Sequence, residues 1–88
     1  MNTSKPSRKE GILSRQLGDE WLLYDAANGS VHVINSMAEF VWKMCDGSRT
    51  FADMEEQIRN TFSVPDRVNL RKDLEGIIQK FSDIEVII

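Results

Sequence analysis

Residues 12–34 read ILSRQLGDEWLLYDAANGSVHVI, and this stretch decides the fold. Ile, Leu, Trp, Tyr and Val fill it, and two turn signals divide it, the pattern of short strands joined by hairpins. Gly18-Asp19 separates Ile12–Leu17 from Glu20–Tyr24, with glycine at the first central position that a type II′ turn requires. Asn28-Gly29 is the second signal. Both residues tolerate positive φ, so the chain can turn back into Val31-His32-Val33-Ile34. The expectation is a three-stranded antiparallel meander.

After Ile34 the hydrophobic period lengthens from two to about three and a half. Met37, Val41 and Met44 share one stripe beside Phe40 and Cys45, which predicts an amphipathic helix. Ser36 with Glu39 forms a capping-box pattern at its start, and Asp46-Gly47 supplies its stop. Thr50 with Asp53 opens a second helix, whose apolar face is Phe51, Met54, Ile58 and Phe62. Ser63-Val64-Pro65 ends it. Proline suits a first helical turn, so a third helix is expected from there, along Leu70, Leu74, Ile77, Ile78 and Phe81. Residues 84–88 are apolar enough for a short strand or a packed extension. Strands followed by helices define an α+β domain, and the last two helices suggest a winged-helix layout.

The chain has 88 residues, 41% hydrophobic and 28% charged, which allows one core. A domain of this size buries roughly 60–65% of its unfolded surface and is modestly stable. Residues 1–11 are polar and read as a disordered tail, with the domain at 12–88. No apolar stretch is long enough for a membrane span, and the first ten residues lack a secretory hydrophobic segment. A single cysteine, Cys45, excludes an intrachain disulfide and a cysteine-rich zinc site, and fits the cytoplasm.

Catalysis finds little support. One His and one Cys are present, and no motif joins either to a base. His32 reads as a surface or edge side chain, and Cys45 as a buried structural thiol. Scattered carboxylates give no metal-ligand spacing, and the glycines form no phosphate loop, so neither metal nor cofactor is expected. Nucleic acid is disfavoured by a net charge of −3 and by a net charge of only +1 over residues 65–81, where a recognition helix would lie. A winged-helix DNA-binding or regulatory adaptor is therefore the weaker alternative. Peptide binding has a positive argument. Ser30 to Ile34 would form a sheet edge free of Lys, Arg, Asp, Glu and Pro, the residues that usually discourage a further strand. Such an edge can capture an extended peptide or pair with a second copy as a homodimer; its shortness, or cover by the helix, would protect it instead. Periodicity alone does not choose.

The order of Gly18-Asp19-Glu20-Trp21-Leu22-Leu23-Tyr24, Val31-His32-Val33-Ile34-Asn35, Ala38, Trp42, Cys45-Asp46-Gly47 and a Thr-led helix resembles the PqqD family. Asp73-Leu74-Glu75 with Ile77 and Ile78 resembles the family's last helix. The resemblance implies a RiPP recognition element, a winged-helix-like peptide chaperone that is not an enzyme. It would hold the leader of a ribosomally made precursor for a radical S-adenosylmethionine or other maturation enzyme, as in pyrroloquinoline quinone biosynthesis. It further implies a leader lying antiparallel on the third strand and packed against the third helix. Carried onto this chain, those contacts fall on Val31, His32, Val33 and Ile34, and on Arg67, Arg71, Leu74 and Ile78. Met37 stands where the family commonly has a small hydroxyl residue, so the first helix is expected to be capped by Ser36.

Overall fold

The computed structural model describes residues 5–65 and 67–88. Strands β1 (Ile12–Leu17), β2 (Glu20–Asp25) and β3 (Ser30–Ile34) form one antiparallel sheet in the order β1-β2-β3. Gly18 sits at φ +62° in the first turn, a conformation that suits residues without a Cβ. The second connection is longer than the expected Asn-Gly pair. Asp25 pairs with Ser30, leaving residues 26–29 as a four-residue loop with only Gly29 at positive φ. Asp25 builds this loop: its carboxylate accepts the Ala27 N–H at 3.0 Å and its carbonyl accepts the Gly29 N–H at 2.8 Å.

Alternation along the strands gives the sheet two faces. Ile12, Leu23 and Ile34 point inward, and β2 pairs Leu23 with Ser14 of β1 and His32 of β3. The outer face carries Leu13, Tyr24 and Val31 in one cross-strand row and Arg15, Leu22 and Val33 in the next. Leu13 and Leu17 are each 63% exposed, and Val31 and Val33 each 54%.

Three helices cover the inner face: α1 (Ser36–Met44), α2 (Phe51–Thr61) and α3 (Leu70–Asp83). Val41, Met54, Ile58, Leu74, Phe81 and Val86 lock together with Leu23 in the core. The Trp42 indole N–H donates to the Val86 carbonyl at 3.2 Å, tying α1 to residues 84–88, which form a packed extension. The Thr50–Asp53 capping box forms as expected. Two helix starts differ from expectation. Asn35, not Ser36, caps α1, its side chain accepting the Ala38 N–H at 2.8 Å from an extended backbone. Asparagine is among the strongest caps, and Ser36 is already helical. Likewise α3 begins at Leu70, with Asn69 accepting from the Lys72 N–H at 3.1 Å. Residues 67 and 68 lie outside the helix and the Val68 N–H donates to the Pro65 carbonyl, so Pro65 does not open the helix.

Residues 1–4 of the expected tail lie outside the described residues. Of residues 5–11, Pro6 to Lys9 and Gly11 make backbone hydrogen bonds to the rest of the domain, unlike the expected tail. The Arg8 N–H donates to the Cys45 carbonyl and the Lys9 N–H to the Val86 carbonyl at 3.1 Å, while Ile88 donates to the Ser7 carbonyl at 2.8 Å. Lys9 also reaches the buried Asp25 carboxylate at 3.2 Å, and the Arg8 guanidinium lies 5.5 Å from the Trp42 ring centroid. This segment clamps the end of α1 to the end of the described chain.

Candidate peptide-binding groove

β3 pairs with β2 along one side only, so among the described residues its other side is an open edge. Backbone N–H and C=O groups on such an edge lack strand partners. Beside the edge lies a 280 Å³ cavity lined by Val33, Ile34 and Asn35, by Met37 and Ala38 at the start of α1, and by Ile77, Lys80 and Phe81 of α3. The Asn35 cap sets this geometry. By ending β3 and starting α1 within one residue, it turns Met37 and Ala38 toward the same hollow that Ile77 and Phe81 approach from α3. An open edge next to an apolar hollow offers backbone pairing and a side-chain pocket together, the two requirements of strand addition.

The eight residues singled out from the sequence divide. Val33 and Ile34 line the hollow. His32 points inward, half-buried opposite Leu23, and Val31 projects from the outer face of the same edge. The helix residues sit elsewhere. Arg67 is exposed in the turn before α3, which corrects its assignment to the helix. Arg71 pairs with Glu55 of α2, and its guanidinium lies 5.9 Å from the Phe51 ring centroid. Leu74 is wholly buried and leaves a peptide nothing to touch; it holds α3 to the core. Ile78 faces a second, larger cavity of 440 Å³ on the opposite flank of α3, together with Pro6, Phe51, Glu75 and Ile87. Among the described residues that cavity is lined by none of the three strands of the sheet. An extended ligand in the smaller hollow can pair its backbone groups with the open edge of β3. The helix residues expected from the sequence thus lie away from this hollow, whose lining adds Asn35, Met37, Ala38, Ile77, Lys80 and Phe81. Ile77 and Phe81 line this hollow and Ile78 does not, a distinction that the 3.6-residue period alone does not make.

The described residues contain no group of three or more His, Cys, Asp or Glu side chains able to hold a metal ion, and no helix long and apolar enough to cross a membrane. Burial pushes the Cys45 thiol up to about 12, so the sulfur is protonated and enclosed, unlike a nucleophile. Burial also acts on Asp25, yet the Lys9 ammonium and the Ala27 N–H outweigh it and hold that carboxyl below the usual range. Its partners are structural: a loop amide and the segment that clamps the domain.

An open strand edge beside a side-chain hollow is the geometry by which extended peptides are bound through strand addition. Residues 20–87 match the family described as Coenzyme PQQ synthesis protein D (PqqD), and the chain belongs to that family. The family's domains are peptide-binding chaperones without catalytic activity. The fold is similar to that of TbiB1 in complex with the TbiA(beta) leader peptide, with a TM-score of 0.74 and 17% sequence identity. The match covers 92% of this chain and 93% of that one. No curated protein matches the chain.

Proposed function

We propose that this chain binds the leader segment of a ribosomally made precursor peptide and presents it to a separate modifying enzyme. The leader adds to β3 as a fourth antiparallel strand, and its inward side chains enter the hollow between α1 and α3. One observation carries this reading: the open β3 edge runs directly beside the hollow lined by Ile34, Met37, Ala38, Ile77 and Phe81. TbiB1, of similar fold, is a protein found with a leader peptide, and membership of the PqqD family supports the same class of ligand here. The partner enzyme is a radical S-adenosylmethionine protein, as in pyrroloquinoline quinone biosynthesis, or another peptide-maturation enzyme of the cytoplasm. The chain itself supplies no chemistry.

Backbone N-methylation of a bound peptide, one residue at a time, tests strand addition. On an antiparallel edge every second amide of the added strand points at its neighbour. Affinity should therefore fall at alternate positions and stay unchanged between them. A uniform response along the peptide would contradict strand addition.

A further inference from the structure

We propose that Lys80 makes the groove selective for a leader that carries a carboxylate two residues from its apolar anchor. This rests on the leader-binding reading above and specifies the ligand's chemistry.

Among the described residues Lys80 is the only charged one lining the hollow, whose other walls are Val33, Ile34, Met37, Ala38, Ile77 and Phe81 with the Asn35 amide. Among the described residues Lys80 enters no ion pair. The arginine nearest on the helical sequence, Arg71, is neutralised by Glu55 on the far flank. A ligand in the groove therefore meets one unpaired positive charge at the margin of an apolar surface.

The cavity's 280 Å³ falls just below the roughly 300 Å³ at which small-molecule pockets begin, so it suits one or two side chains of a larger ligand. In an added strand, inward-facing residues recur every second position, roughly 7 Å apart. When one of them fills the space between Ile34 and Phe81, the next lies within reach of a four-carbon ammonium stem at the rim. An uncharged polar residue there leaves the ammonium without a counter-charge. A basic residue is repelled. Asp or Glu satisfies it, and because an ammonium is a flexible point charge, either length is accepted. The net charge of −3 is spread over the surface and screened beyond about 8 Å at physiological salt, so the local charge decides the contact.

Parallel selections from a randomised peptide display library, on the full chain and on Lys80→Glu and Lys80→Gln variants, test this without knowing the natural precursor. The wild-type chain should enrich an aromatic or branched aliphatic residue with Asp or Glu two positions away. Lys80→Gln should keep the anchor and lose the acid, and Lys80→Glu should keep the anchor and enrich Lys or Arg in its place. For a single selected peptide, replacing the acid by its amide should weaken wild-type binding up to about fivefold, the ceiling for a solvent-exposed pair. The amide change should have no such effect on Lys80→Gln. An identical charge preference in all three selections would overturn the role of Lys80 while leaving leader binding intact. Failure of all three folded proteins to enrich any apolar, extended motif would overturn both.

Discussion

Ile77 and Ile78 are neighbours on one helix, identical in chemistry, and both partly buried against the core. They face different cavities: Ile77 the hollow beside β3, Ile78 the cavity beyond α3 toward Pro6 and Phe51. Substituting each by alanine therefore separates groove contact from general stability. The change removes three carbons, each contributing about 0.8 kcal/mol when fully buried, or about 2.4 kcal/mol in all. Roughly two-thirds or more of that burial already exists in the free domain, so both variants should lose at least about 1.5 kcal/mol of folding stability, more if a void remains. The remainder is available only to a ligand that covers the side chain. Ile77→Ala should therefore weaken peptide binding by up to about 0.8 kcal/mol, or up to about fourfold, and Ile78→Ala should leave it within experimental error. Fluorescence anisotropy with a labelled peptide gives affinity, and urea denaturation gives stability. Equal losses of affinity in the two variants, or a loss confined to Ile78→Ala, would refute the assignment of the groove.

Cys45 should resist Ellman's reagent at pH 8 in the folded chain and react once denaturant unfolds it, because its thiol is buried and raised to about 12; rapid reaction of the native chain would contradict that burial. Asp25, Asp46 and Asp53 are all held below the usual carboxylate range. For Asp25 burial is opposed by Lys9 and the Ala27 N–H; for Asp46 the Ser48 hydroxyl and N–H act, and for Asp53 the Thr50 N–H and hydroxyl. Since folding lowers these values, the unfolded chain binds protons first, and the stabilisation is full above about pH 4 and lost as pH falls below it. Asp25→Asn should flatten part of that acid-side decline in urea-denaturation midpoints; an unchanged slope would mean that the Lys9 contact does not form in solution.

Much of this architecture was legible because its causes are local. Alternating apolar residues between Gly18-Asp19 and Asn28-Gly29 leave few alternatives to a meander, and the Thr50–Asp53 box marks α2 by short-range hydrogen bonds that sequence spacing records. Expectation failed where two local rules compete. Pro65 suits a first helical turn, but Asn69, four residues on, caps better and moves the start of α3 to Leu70, leaving Arg67 in the preceding turn. Asn35 and Ser36 compete in the same way at α1. The pairing of Pro6 to Lys9 was invisible for a different reason. It runs through backbone groups of Cys45 and Val86, far along the chain, and backbone bonds leave no side-chain pattern to read. The groove-facing flank of α3 depends on where α2 sits, and that position is fixed by tertiary contacts such as Arg71 with Glu55 and Phe51.

Amide hydrogen exchange along β3, followed by NMR in the free chain and at saturation with a bound peptide, probes strand addition most directly. An added strand should slow exchange at alternate residues within 31–34, those whose N–H groups point away from β2, and at every second amide of the peptide. Unchanged exchange along β3 at saturation, or new protection confined to the cavity around Ile78, would contradict peptide capture at this edge.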